Sequence, residues 1–205
     1  MNGPAGTEGY AEAAEQLAVQ YEEVTFAQVH RELLPLLPGA PSAVLDIGAG
    51  TGRDAAALAA LGHRVVAAEP TAELRRIGRR IHAGSAIRWV DDALPEVAVL
   101  RASGERFDLI LLTAVWMHLD DRERRSAMGA LAGLLAPAGR VLLSLRHGPV
   151  PPGRRMFDVS ADETVALGRR HGLDLLTRAA RADLHGRPGV SWSLLGFERT
   201  ATRLP

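Results

Sequence analysis

Asp46, Gly48, Gly50 and Gly52 stand at every second position between a short apolar run, Ala43-Val44-Leu45, and an alanine-rich segment, Asp54 to Leu61. The apolar run reads as a buried strand, and the segment after the glycines as a helix that Gly62 stops. Glycines in such a turn let the chain bend tightly and let a ligand approach bare main chain. Asp46 adds a group that only accepts hydrogen bonds. Glu69 ends the next apolar run, Arg64 to Ala68, and Asp91 and Asp92 follow a third, Ile87 to Val90. Side chains able to move a proton near neutrality come later. His118 follows the strand-like run Phe107 to Leu112, and His147 follows Arg140 to Leu145 with Arg146 beside it, a guanidinium fork suited to a carboxylate or phosphate.

Spacing removes several chemistries. The dinucleotide frame G-x-G-x-x-G would need glycine where Arg53 stands. A phosphate loop needs lysine after its glycines, and the chain has none. It has no cysteine either, which excludes disulfides, thiolate metal sites, iron–sulfur clusters and a cysteine nucleophile.

The remaining pattern, D-x-G-x-G-x-G after a strand and before a helix, resembles the first motif of the class I S-adenosylmethionine (SAM) methyltransferases. The resemblance implies an α/β three-layer sandwich whose mostly parallel seven-stranded sheet has the order 3-2-1-4-5-7-6, with strand 7 antiparallel and a helical cap at the N-terminus. SAM would lie over the carboxyl ends of the first two strands. Asp46, Gly48, Ala49, Gly50, Gly52, Arg53, Glu69, Pro70, Asp92, Ala93, Leu94 and Thr113 are then the cofactor-binding residues. Glu69 lies where a ribose-binding acid is expected, about twenty residues beyond the glycines. The resemblance gives Asp92, or Asp91 one position away, the adenine amino group to accept from; a helix cap before Pro95 is the structural alternative. No metal is implied. Thr113 stands where metal-dependent catechol-type enzymes present a carboxylate, and Thr113 to Trp116 does not match the N/D-P-P-Y run of amino-methylating enzymes that act on nucleic acid.

The flanking elements must position these groups. Residues 1–9 are small and polar and are expected to be disordered. Residues 10–37 read as one or two helices, with Leu17, Tyr21, Val24, Val29, Leu33 and Leu34 at roughly helical spacing. This cap offers Tyr10, Tyr21, Glu22 and His30 to a ligand, or to packing. Residues 43–205 form the core, so 10–205 make a single domain. Arg75, Arg76, Arg79 and Arg80 read as the wet face of an amphipathic helix. Asp120 with Glu123, and Ser160 with Glu163, read as capping boxes. Pro137-Ala138-Gly139 makes a turn in which the family usually has two glycines. The loop Arg146 to Arg155 is either an anion clamp or an exposed Pro/Gly linker. Leu173 to Arg181 and Val190 to Arg199 form a last antiparallel pair.

These readings converge on transfer of a methyl group from SAM to a small-molecule acceptor by in-line displacement. Positioning does most of the work, and a base is optional. The candidate catalytic residues are His118, His147 and Arg146, the last positioning an acidic substrate; His118 is otherwise a structural hydrogen-bonder, and Trp116 lies against adenine or substrate. A non-catalytic SAM-binding module and a nicotinamide-dependent oxidoreductase are the alternatives. The 205 residues carry a formal net charge of zero, which argues against nucleic acid or a membrane surface as partner. The first residues lack the basic and apolar regions of a signal peptide, so a soluble, cytoplasmic protein is expected.

Overall fold

The computed structural model describes residue 4 and residues 6–200. Seven strands make one sheet: β1 (Ala43–Ile47), β2 (Arg64–Ala68), β3 (Ile87–Val90), β4 (Phe107–Leu112), β5 (Leu135–His147), β6 (Leu173–Ala182) and β7 (Ser191–Arg199). Their order is β3-β2-β1-β4-β5-β7-β6. The first five strands pair in parallel, and β7 runs antiparallel to both β5 and β6. This is the expected sheet, with its one reversed strand.

Helices cover both faces because the central strands are apolar on both. One face carries Val44, Val65, Leu109 and Leu111 against Ala55 and Leu58 of α3 (Arg53–Ala60). The other carries Leu45, Val66, Ile110 and Leu143 against Leu100 of α5 (Ala98–Ser103), Met128 and Leu131 of α6 (Asp121–Leu134), and Val165 of α7 (Ala161–Arg170). Burying each such side chain contributes about 1.5–3 kcal/mol. The N-terminal cap comprises α1 (Ala14–Glu22), α2 (Phe26–Val29) and a 3₁₀ turn, Leu34–Leu36. It meets α4 (Ala72–Ile81) through Ala14, Ala18, Leu74 and Ile77.

Arg76, Arg79 and Arg80 of α4 do face outward, and Arg76 and Arg80 pair with Glu15 of α1. Arg75 does not. It is largely covered, bonds the main-chain carbonyl of Glu69 and pairs with Asp91 at 2.7 Å. At Asp120 the capping box closes both ways, Glu123 N–H to Oδ1 at 2.8 Å and Asp120 N–H to Glu123 Oε2 at 2.7 Å. At Ser160 only half of the expected box forms. Its Oγ accepts from Glu163 N–H at 3.1 Å, but the Glu163 carboxylate turns to Arg124 at 2.7 Å, a charged partner stronger than a main-chain amide.

Two expectations fail locally. Of the stretch expected to be disordered, residues 6–9 are described, and they turn over the molecule. Tyr10 N–H bonds the Thr7 carbonyl at 3.1 Å, and Arg154 donates to the Glu8 carbonyl at 2.8 Å. Residues 1–3 and 5 lie outside the described residues. The Pro137–Gly139 turn is absorbed into β5 as an irregularity, with the register to β4 shifting between Phe107 and Leu109. Ala138 takes φ 57° there while fully exposed. A left-handed conformation costs a non-glycine residue about 1 kcal/mol, and no packing opposes its relief. Ala138→Gly is therefore expected to stabilise the fold by about 0.5–1 kcal/mol in denaturant melts, with an unchanged m-value.

Candidate active site

The carboxyl ends of β1, β2, β4 and β5 open into a cavity of about 440 Å³, roofed by α1 and the turns before it. The glycine turn forms one wall. Gly48 and Ala49 N–H both donate to the Ala68 carbonyl, at 2.8 and 3.1 Å, so the end of β2 holds the turn that leaves β1. Glu69 completes this hold. Its Oε2 accepts from Gly50 N–H and its Oε1 from Thr71 N–H, each at 2.8 Å. The side chain is 5% exposed and lines the cavity. Burial raises its pKa, against the pull of the two amides.

Asp46, at 1% exposure, has an Oδ2 with no partner among the described residues. Burial first, and the neighbouring Asp54 second, push its carboxyl well above the usual range. Asp54 is buried too but behaves oppositely. It accepts from Arg53 Nε at 2.7 Å, His30 Nε2 at 2.7 Å and Thr113 Oγ1 at 2.8 Å. Burial opposes its charge, but the neighbouring His30 and Arg53 outweigh it and hold the carboxyl far below its ordinary value. Arg53 Nη1 also reaches the Tyr21 carbonyl at 3.1 Å, so this cluster ties the cap to the glycine turn.

Opposite these acids stands His118, 6% exposed, on a 3₁₀ turn, Trp116–His118, after β4. Its Nδ1 lies 2.7 Å from the Arg155 carbonyl, which can only accept, so Nδ1 carries a proton. In the neutral ring Nε2 is then an acceptor, and the Tyr10 hydroxyl donates to it at 3.0 Å. Burial lowers the His118 pKa and favours this neutral form. Burial raises that of Tyr10.

The cavity thus brings together Asp46, Gly48, Ala49, Gly50, Arg53, Glu69, Pro70, Ala93, Leu94, Thr113, His118 and Arg146 of the expected residues. Three others lie elsewhere. Gly52 turns toward Trp89, whose ring an added Cβ would meet at 2.7 Å. Asp92 spends both oxygens on main chain, Ala93 N–H at 3.0 Å and Leu100 N–H at 2.9 Å, because the turn into the unforeseen helix α5 leaves buried amides in need of an acceptor. The alternative, Asp91, is exposed on Arg75. His147 points to the other face of β5 and meets Ser193 Oγ at 2.8 Å; strand alternation allows only one of Arg146 and His147 to face the cavity. Trp116, offered as a ligand contact, is wholly buried in the core instead.

Sequence reasoning also missed residues. The end of β6 supplies Arg181 to the cavity, the chain joining β6 to β7 supplies Asp183, Leu184, His185 and Arg187, and the start of β7 supplies Trp192. The reversal of β7 was the available signal, since it brings the start of β7 to the same edge as the ends of the parallel strands.

A family model described as a methyltransferase domain matches residues 19–177. The chain belongs to the class I SAM-dependent methyltransferases. The nicotinamide alternative is thereby set aside. Demethylmenaquinone methyltransferase of Clavibacter sepedonicus is 32% identical over 123 residues, 60% of this chain; the match spans 49% of that relative, so the chain covers about half its length. Ubiquinone biosynthesis O-methyltransferase of Cereibacter sphaeroides is 28% identical over 187 residues, 82% of this chain and 74% of that one. Among solved structures, the 1,6-didemethyltoxoflavin-N1-methyltransferase of Burkholderia thailandensis, with bound S-adenosylhomocysteine, has a TM-score of 0.70 at 23% identity, covering 93% of this chain and 85% of that one. N-methyltransferase NodS of Bradyrhizobium japonicum has a TM-score of 0.65 at 20% identity, covering 89% and 97%. These two structures share the methyltransferase fold. No described helix is long and apolar enough to cross a membrane.

The donor set fits SAM. An unpartnered, buried carboxylate suits an ammonium group, and a second carboxylate beside bare glycine main chain suits a ribose. Charge-assisted hydrogen bonds are each worth about 1.5–3 kcal/mol. Glu69→Gln is expected to weaken S-adenosylhomocysteine binding at least tenfold by calorimetry. Asp54→Ala leaves Arg53 and His30 facing each other unpaired and is expected to cost about 3–5 kcal/mol of stability in denaturant melts.

Proposed function

We propose that this methyltransferase acts on a small-molecule acceptor and that Tyr10 and His118 remove the acceptor's proton. The observation that carries the reading is the 3.0 Å contact between the Tyr10 hydroxyl and His118 Nε2, in the same cavity as the glycine turn and Glu69. When bound, SAM supplies an electrophilic methyl group on a sulfonium centre.

The chain's own residues hold, shield and deprotonate. Asp46 receives the amino-acid ammonium, and Glu69 the ribose hydroxyls. Ala93 and Leu94 border the base, and Thr113, bonded to Asp54, closes the floor. The turns at Gly6 and Thr7, with Arg154 stacked 4.0 Å from the centre of the Tyr10 ring, cover the opening and keep water away. Exclusion of water strengthens every polar contact inside.

Proton removal follows from the tautomer. With Nδ1–H fixed on the Arg155 carbonyl, His118 Nε2 has a lone pair toward Tyr10. An acceptor O–H or N–H approaching Tyr10 gives up its proton to the phenol oxygen as the phenol proton passes to Nε2. A positioned base of this kind contributes roughly 10²–10⁴-fold. Arg146 holds the far end of the acceptor, whereas His147 faces away. A cavity of about 440 Å³ favours a compact acceptor over a macromolecule.

The base works only when neutral. Because burial lowers its pKa, the neutral form persists below the ordinary imidazole value of about 6.5. Transfer of labelled methyl to the small-molecule fraction of a cell extract is expected to stay flat from pH 8 to about 6.5 and to fall only below that. His118→Asn is expected to slow transfer by about a hundredfold or more and to abolish this acid limb, while S-adenosylhomocysteine affinity stays unchanged. An acid limb that survives in His118→Asn would show that another group takes the proton.

A further inference from the structure

Strands β5, β7 and β6 carry a row of side chains that takes no part in proton removal. In the register of the sheet, Trp192 of β7 lies directly opposite Arg146 of β5 on one side and Arg181 of β6 on the other. Residues paired in this way share a face of the sheet. All three line the cavity, at the end away from the glycine turn. Trp192 is held by its indole N–H, which donates to Asp183 at 2.9 Å, and the Arg181 guanidinium carbon lies 5.3 Å from the Trp192 ring centre.

Both arginines are incompletely satisfied in the same way. Arg146 spends Nη1 on the Pro149 carbonyl at 2.8 Å, and Arg181 spends Nη1 on the Ala182 carbonyl at 3.2 Å. In each, Nε is buried without a partner among the described residues, and neither forms an ion pair there. Arg146 is 8% exposed. A cation as covered as Arg146 costs free energy unless an anion joins it, and the Asp183 carboxylate, the anion acting on it, is already paired with Arg187. The Nε–Nη2 edge of a guanidinium is a planar fork that matches the two oxygens of a carboxylate. Nearby Arg187 is neutralised by Asp183 at 2.6 Å, and that carboxylate would repel a dianion. Leu17, Val24, Val29, Leu119 and Met156 make the cavity walls apolar.

We propose that the acceptor is an apolar small molecule bearing a single carboxylate, which the Arg146–Trp192–Arg181 row holds at the end of the cavity away from the glycine turn. This inference rests on the methyl-transfer reading and names the substrate class of that site. Held there, the carboxylate anchors the molecule while its other end, carrying the O–H or N–H, reaches Tyr10. The row sets which acceptors bind; it positions the substrate and takes no part in proton removal.

The test uses the full chain saturated with S-adenosylhomocysteine. A panel of aryl and alkyl carboxylic acids, each paired with its neutral primary amide and its phosphate-bearing analogue, is screened by ligand-observed NMR, and binders are titrated by calorimetry. Acids are expected to bind at least tenfold more tightly than their amides and than the phosphates. Arg146→Met with Arg181→Met is expected to erase the preference for acids while S-adenosylhomocysteine affinity stays within twofold. Arg181→Lys, which keeps charge but loses the fork, is expected to lose most of it. Arg181 is only half-buried, so Arg181→Met alone keeps the test in force if the double variant does not fold. Equal binding of acids and amides, a preference for phosphates, no binding by any panel member, or acid preference surviving the substitutions would each overturn the proposal. Failure of S-adenosylhomocysteine to bind the unaltered chain would instead overturn the methyl-transfer reading itself.

Discussion

The Glu69 carboxylate sets the geometry on which the cavity depends. The glycine turn that leaves β1 has one anchoring hydroxyl, Thr51 Oγ1, which donates to Glu22 at 2.7 Å, and a tight turn of this kind still needs acceptors for its amides. The end of β2 supplies them, first through the Ala68 carbonyl and then through Glu69, whose two oxygens take Gly50 and Thr71 N–H together. One buried anion thereby fixes the turn after β1 and the start of the turn after β2 at once. Its raised pKa measures what burial costs, and the two amides offset part of that cost. The nucleoside half of the site is thus formed before any ligand arrives, which limits the ordering entropy that binding must overcome.

Around this constraint the cavity is electrically polarised. Asp46, Asp54 and Glu69 line the cavity with Arg53 around the glycine turn, while Arg146, Arg154, Arg181 and Arg187 line it with Asp183 from β5 onward along the chain. The two sets differ in how they are balanced. Asp54 is fully compensated by Arg53, His30 and Thr113, so it acts as a structural bolt between cap and core. Asp46 and the two arginines of the β5–β7–β6 row are left with unpartnered atoms. Evenly balanced cavity charges would mark a packed interior. Here the unpartnered carboxylate belongs to β1 and the unpartnered guanidinium nitrogens to β5 and β6, so the two kinds of charge come from different strands. A net charge of zero over the whole chain conceals this separation.

The strands and the glycine turn were legible because they rest on local rules. Continuous apolar runs mark the strands and glycines at every second position mark the turn, while the order of the strands came from the family that this turn resembles. The acceptor half was illegible for a physical reason. Arg181 and Trp192 are ordinary members of alternating edge strands until pairing sets them side by side, and pairing across β5, β7 and β6 is non-local. Asp54 read as the first turn of a helix, and nothing in its neighbours announced His30 or Thr113 as partners. Asp92 misled in the opposite direction. Its position resembled a base-binding acid, but the turn into α5, which the local pattern did not reveal, draws its carboxylate onto Ala93 and Leu100 N–H and out of the cavity lining. His118 and His147 looked equivalent in sequence, each following a strand; alternation within β5 turned one away, while the 3₁₀ turn after β4 turned the other in.

The reversed strand explains how such a site can keep one half and vary the other. If β7 ran parallel to its neighbours, its first residues would lie at the amino edge of the sheet, far from the ligand. Running antiparallel, it starts at the carboxyl edge, and the chain joining β6 to β7 folds over the cavity there. Residues 183–190 between the two strands carry no core side chain, so their sequence is free of the packing that fixes β1, β2 and β4. The anchoring residues Arg181 and Trp192 sit just inside the strands, where the ladder holds their direction. Arg146 is fixed likewise near the end of β5, where it pairs with Trp192 of β7. Acceptor selection as proposed would therefore rest on rigid strand ends and be adjusted by a loop that meets the cap through His185 and Glu23. Changes there alter what is bound beside the methyl donor without disturbing the carboxylate that shapes the glycine turn.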